Sequence, residues 1–124
     1  MAAISLHHAG LYVADLARSI AFYRDTFGLE PAERLTFGDE EIVFLGVGAA
    51  RLELIASAVV PARPAGVVDH VAFDVDDLDA TLASLRARGV PVLDAEPIPV
   101  PALGVRIAFL LGPDGERIEL VARG

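Results

Sequence analysis

Two histidines and two glutamates recur at matched places in this 124-residue chain: His8 and Glu53 in the first half, His70 and Glu119 in the second. The glutamates lie inside a near-repeat, RLELIA (51–56) and RIELVA (117–122). The histidines open a second one, HAGLYVADL (8–16) and HVAFDVDDL (70–78). Order and offset are kept, which points to duplication or to a shared structural demand. Two neutral imidazoles and two carboxylates supply two nitrogens, two oxygens and two negative charges. That set neutralises a divalent ion, and in octahedral coordination leaves two positions for water or substrate.

Something must hold these side chains, and each half spells the same series of elements. Strand formers over 5–13 and 67–75 predict a strand in each half. Asp15 and Asp77 then read as helix N-caps. Leu16, Ile20, Tyr23 and Phe27 fall at helical spacing before Gly28, as do Leu78, Leu82 and Leu85 before Gly89. Three strands follow in the first half, at about 29–36, 41–47 and 50–56, and three in the second, at about 90–95, 104–111 and 116–121. The expected fold class is α+β: two tandem βαβββ modules forming a curved, cup-like mixed sheet with helices outside. We read 1–124 as one domain, with module 1 at about 1–57 and module 2 at about 66–124, joined by the Pro-bearing SAVVPARPAG (57–66). Strand alternation puts Leu52, Leu54 and Ala56 on one face and Arg51, Glu53 and Ile55 on the other; 117–122 repeats this. His8, Glu53, His70 and Glu119 therefore all lie opposite the helix-packing face.

The stretches HHAGLYVADLARSIAFYRDTFGL (7–29), HVAFDVDDLDATLASLRARGV (70–90) and FLLGPDGERIELV (109–121) resemble the vicinal oxygen chelate superfamily, which includes glyoxalase I and methylmalonyl-CoA epimerase. The resemblance covers essentially the whole chain and is nearest in ligand pattern to glyoxalase I. It implies an open cup around a divalent metal (nickel, cobalt, zinc, manganese or iron) with His8, Glu53, His70 and Glu119 as ligands. It also implies an isomerase or lyase that abstracts a proton next to a metal-bound carbonyl through an enolate, with Glu119 as the base and Glu53 as alternate. A glutamate at position 53 and a short 54–69 segment favour this over a methylmalonyl-CoA-type epimerase, the first alternative. The glutathione contacts of bacterial glyoxalase I do not carry over: Tyr12 stands where an Arg is expected and Ser57 where an Asn is. Another thiol conjugate, or a 2-oxo or 2-hydroxy acid, is the expected small-molecule substrate, and a homodimer the expected assembly. Extradiol-type dioxygenases and fosfomycin-type thiol transferases rank lower. A metal-free antibiotic-binding protein is the non-enzymatic alternative, for which four ligand-type residues have no use.

Blander readings stand beside these. A lone strand histidine is usually solvated or hydrogen-bonded, and only the joint placement of four residues lifts the metal reading. His7 should point away from His8 and sit at the rim. Arg51 and Arg117 could form surface ion pairs with the glutamates on their own strands, could hold those carboxylates from behind, or could contact anions. Asp74 to Asp77 lacks the glycine and distal Glu of an EF-hand loop. The expected role of 98–104 is a rigid loop, and that of Glu40 and Glu41 a solvated turn. Net charge of −8, from 18 acidic and 10 basic residues, argues against nucleic acid and anionic membrane partners. The absence of cysteine excludes disulfides and thiolate chemistry. With no signal-like N-terminus or bilayer-length apolar run, a cytoplasmic location is expected.

Overall fold

Aspartate caps and glycine stops set the two helices. A computed structural model describes residues 7–57, 68 and 70–123. In it, α1 spans Leu16–Phe27, and the Asp15 carboxylate accepts the Arg18 backbone N–H at 3.0 Å. Gly28, at φ 71°, ends the helix in the left-handed conformation that costs glycine least. Helix α2 spans Leu78–Ala87, and Asp77 caps it through the Ala80 N–H at 3.0 Å. No helix among the described residues is long and apolar enough to cross a membrane.

The chain divides into two compact units, Met1–Ala62 and Arg63–Gly124. The first holds β1 (His8–Tyr12), α1, β2 (Pro31–Phe37), β3 (Glu40–Val47) and β4 (Ala50–Ser57), in sheet order β1-β4-β3-β2. The second holds β5 (Val71–Asp74), α2, β6 (Ile98–Val100), a short 3-10 turn at Pro101–Leu103, β7 (Val105–Leu111) and β8 (Arg117–Arg123), in order β5-β8-β7-β6. Each is a βαβββ module of the expected kind. The first strand of each runs parallel to the last, and the other pairings are antiparallel. A parallel partner needs a crossover, and the helix supplies it. The expected strand starts at 5–6 and at 67 and 69, and nearly all of the 57–66 link, lie outside the described residues.

Alternation sorts the faces as expected. Leu52 and Leu54 pair in register with Leu45 and Val43, and all four are buried beside α1's Ile20 and Tyr23. In the second unit Ile118 and Leu120 pair with Leu110 and Ala108, buried with Leu78, Leu82 and Leu85 of α2. Burying each large apolar side chain is worth about 1.5–3 kcal/mol. The helix stripe of module 1 is narrower than its spacing implied: Leu16 and Phe27 stay half-buried, and Ser19 is fully buried instead.

One strand moves. The expected strand at 90–95 is only an isolated bridge, Val92 to Leu110, and the edge strand proper is Ile98–Val100. Leu93 N–H still donates to the Phe109 carbonyl at 2.8 Å, and Leu111 N–H to the Pro91 carbonyl at 3.0 Å. The Asp94 side chain then accepts the Phe109 N–H at 2.7 Å, doing with a carboxylate what a strand carbonyl would do. That substitution interrupts the ladder, which resumes at Ile98. Pro99 is tolerated in β6 because this is an edge strand. Part of the expected 98–104 loop is thus strand, followed by the turn at Pro101–Leu103.

Candidate metal-binding half-sites

Register places the chemistry. In module 1, His8 pairs with Arg51 and Gly10 with Glu53 across the parallel β1–β4 ladder. The His8 Nε2 lies 3.6 Å from Glu53 Oε1. In module 2, Ala72 pairs with Glu119, and His70, immediately before β5, brings its Nε2 to 2.8 Å from Glu119 Oε1. The carboxylates are mostly covered, at 15% and 16% side-chain exposure, and the imidazoles are more open, at 39% and 34%. Each module therefore presents one nitrogen–oxygen pair on the face opposite its helix. Among the described residues no group of three or more His, Asp or Glu side chains forms a cluster able to hold a metal.

The donor chemistry of each pair fits half of a divalent site. Two donors bound at right angles, each about 2.1 Å from one ion, lie about 3 Å apart. The observed separations of 3.6 and 2.8 Å bracket that spacing. A complete set requires the two pairs to meet, within a chain or across two.

Three side chains at these sites were not assigned from the sequence. Phe44 and Phe109 pair in register with Glu53 and Glu119, so they share the glutamates' face. Each meets its histidine edge-on, with ring centroids 5.5 Å apart for Phe44 and His8 and 5.4 Å for Phe109 and His70. They act as walls that restrict the imidazole's rotation. The matched Phe-Leu pairs in the two halves were the available signal. The third is His7, whose Nδ1 lies 2.8 Å from His8 Nδ1. It does not point away, because it precedes β1 and the strand's alternation does not govern it. One of the two nitrogens must donate. If His8 donates, its Nε2 carries the free lone pair that a metal ligand needs.

The arginines part company. Among the described residues Arg51 pairs with Glu33 (Nε to Oε1, 3.1 Å), and not with Glu53, and it also donates to the Ala50 carbonyl at 3.1 Å. The Arg117 guanidinium stacks over the Phe109 ring, 4.6 Å from its centroid. At the other end of module 1, Tyr12 donates to Glu40 at 3.0 Å and Ser57 to Asp39 at 3.2 Å. Glu40 is thus a partner of Tyr12 and not only a solvated turn residue.

Comparison with known proteins agrees with this architecture. The sequence model of the Glyoxalase/Bleomycin resistance protein/Dioxygenase superfamily matches residues 5–120. The chain is 36% identical to a lactoylglutathione lyase of Haemophilus influenzae, over 92% of this chain and 89% of that protein. It is 34% identical to the uncharacterized protein YwbC of Bacillus subtilis, over 95% and 97%. Among solved structures, the trypanothione-dependent glyoxalase I of Leishmania major superposes with a TM-score of 0.81 at 29% identity, covering 97% of this chain and 87% of that one. The chain belongs to the Glyoxalase/Bleomycin resistance protein/Dioxygenase superfamily.

Proposed function

We propose that the protein is a divalent-metal-dependent isomerase or lyase of the glyoxalase I type, acting on a small molecule with a carbonyl next to an acidic carbon. The observation that carries this reading is the repetition of one unit in both modules: an imidazole nitrogen and a carboxylate within 3.6 and 2.8 Å, walled by a phenylalanine. His8, Glu53, His70 and Glu119 would hold the ion, in one chain or across a homodimer. A divalent ion held by these four residues would supply positive charge next to the substrate carbonyl and so make the neighbouring C–H more acidic. The protein's own part is to take and return the proton. Glu119 is the assigned base and Glu53 the alternate, since a carboxylate can carry the proton from one carbon to its neighbour. Relatives named lactoylglutathione lyase support this class. The acidic partners of Tyr12 and Ser57 repel carboxylates at that end of module 1, which supports a thiol other than glutathione.

The test loads tag-free protein with nickel, cobalt, manganese, iron or zinc, dialyses it exhaustively and counts retained metal. About one ion per set of two histidines and two glutamates is expected. Glu119→Gln should abolish turnover on a panel of hemithioacetals and thioesters while the fold persists. No retained ion with any metal in folded protein would overturn the catalytic reading, and undiminished activity in Glu119→Gln would remove the base assignment.

A further inference from the structure

Beside the His8–Glu53 pair, module 1 carries a cavity of about 330 Å³ lined by His7, Glu33, Leu35, Phe44, Ala49 and Arg51. That is the lower end of the range for small-molecule sites. Its walls divide by chemistry. Leu35, 41% exposed, and Phe44 give an apolar surface. Arg51 gives a guanidinium whose Nε binds Glu33 and whose Nη1 binds the Ala50 carbonyl. Its Nη2 has no partner among the described residues. The Glu33 side chain is 55% exposed and that of Arg51 32%, so their pair is solvated and easily shared.

From this cavity we infer an anchor for the remote carboxylate of the substrate, with a short apolar arm lying on Leu35 and Phe44. A planar guanidinium with free N–H groups matches a carboxylate in a forked geometry. Glu33 already offsets the charge of Arg51, so the forked N–H groups rather than net charge favour a carboxylate, and Glu33 repels a dianion such as phosphate more strongly than a monoanion. Phe44 belongs both to the cavity and to the wall of His8, so a ligand held here runs over that ring towards the His8–Glu53 pair. Arg51 and Glu53 are alternate residues on one face of β4, roughly 7 Å apart by strand geometry. A free 2-oxo acid, whose carboxylate adjoins its carbonyl, is too short to reach both. The substrate class is therefore a carbonyl compound or thioester with a carboxylate several bonds from the reacting carbon. The direction in which the ligand runs rests on the enzyme reading above, whereas the anchor is independent of metal.

The experiment titrates metal-free protein with 4-methylpentanoate, its neutral amide and inorganic phosphate, followed by amide chemical shifts. The acid should saturate with shifts at Leu35, Phe44 and Arg51, and the amide should bind at least tenfold more weakly. Arg51→Gln should weaken the acid at least tenfold, and Arg51→Lys, which keeps the charge but loses the fork, by less. Glu33→Gln should tighten it severalfold, an effect opposite in sign to that of a residue needed only for structure. Equal binding of acid and amide, weaker binding in Glu33→Gln, preference for phosphate, or shifts confined to other surfaces would each overturn the anchor. If metal is retained but the acid fails to bind, the enzyme reading stands and the carboxylate class falls. If the acid binds but no metal is retained, the anchor stands and the enzyme reading falls.

Discussion

In module 1 the glutamate stands 3.6 Å from its histidine, beside a glycine; in module 2 it stands 2.8 Å away, beside an alanine. A Cβ added at Gly10 would lie 2.9 Å from Glu53 Oε1, so the carboxylate occupies the space that the Ala72 methyl fills in the other module. One methyl group thus separates a carboxylate leaning over its neighbouring strand from one turned onto its histidine. The arginines differ in the same way: Arg51 is held by Glu33, Arg117 by the face of Phe109. The helix-facing cores, by contrast, correspond position for position in apolar character: Leu45, Leu52 and Leu54 answer Leu110, Ile118 and Leu120, and Ile20 and Tyr23 of α1 answer Leu82 and Leu85 of α2. The packing face is thus kept apolar in both modules, while the face that carries the histidines and glutamates differs between them.

Breaking the cores should give the largest effects, and equal ones. Leu54 and Leu120 are both fully buried at equivalent positions. Leu54→Ala and Leu120→Ala should each cost about 2–5 kcal/mol in denaturant unfolding, as truncations of buried leucines do. A difference between them approaching the effect itself would show that the two cores are not equivalent.

Smaller effects are expected at the ring walls, and there the modules should separate. Phe109 meets both His70 and Arg117, whereas Phe44 meets the two histidines of its own module. Phe109→Leu should destabilise more than Phe44→Leu, by about 0.5–1 kcal/mol, the usual worth of an exposed cation–π contact. A double-mutant cycle with Arg117→Met should return that coupling, and a coupling near zero would mean the stacking has no energetic content.

Exchanging the neighbours of the glutamates sharpens the contrast further. The Glu53 carboxylate is the far end of a flexible side chain, so Gly10→Ala should displace it towards His8 without unfolding the strand. The His8–Glu53 separation in a crystal structure should shorten towards that of the second module. Net stability should change by less than about 1 kcal/mol, because alanine's backbone advantage over glycine offsets the displacement. The reverse change, Ala72→Gly, should lengthen the His70–Glu119 contact. An unchanged separation in both variants would remove the methyl group as the cause of the asymmetry.

Much of this architecture was legible because local signals agreed with global ones. Asp15, Gly28 and Asp77 lie at helix ends as their chemistry requires, and the alternation of RLELIA and RIELVA assigned the faces correctly. The failures have physical causes. The 90–95 segment has strand-like composition, but Asp94 substitutes its carboxylate for a ladder carbonyl, and no periodicity reveals that. His7 faces His8 because it precedes the start of β1, where strand alternation does not apply. The Arg51–Glu33 pair joins β4 to β2 across β3, and such a long side-chain reach has no signature in spacing. Phe44 and Phe109 recur at matched positions in the two halves, but aromatic residues on strands are so often core that recurrence alone assigns them no role.

The smallest expected effect lies at a pair that module 2 has and module 1 lacks. Asp79, in the first turn of α2, accepts two bonds from Arg106, at 3.4 and 3.0 Å. Helix α1 has no acidic residue in its first turn, where Ala17 stands in place of Asp79. The hydrogen bonds and then the charge of Arg106 hold the Asp79 carboxyl below the ordinary aspartate value, and Asp79 in turn raises Arg106. The sign follows from linkage. A carboxyl with a depressed folded-state pKa adds stability above its unfolded value and loses it as pH falls through the folded one. Any contribution is therefore present at neutral pH and disappears in the acid range. Because the Asp79 side chain is 68% exposed, salt screens the pair and Asp79→Asn should leave the unfolding midpoint at pH 7 nearly unchanged. The sensitive readout is an NMR titration of the Asp79 carboxyl, whose midpoint should sit below the usual value in the wild type and return to it in Arg106→Gln. A midpoint unmoved by that substitution would place the cause in the helix N-terminus instead, a feature both modules share, and would erase this difference between them.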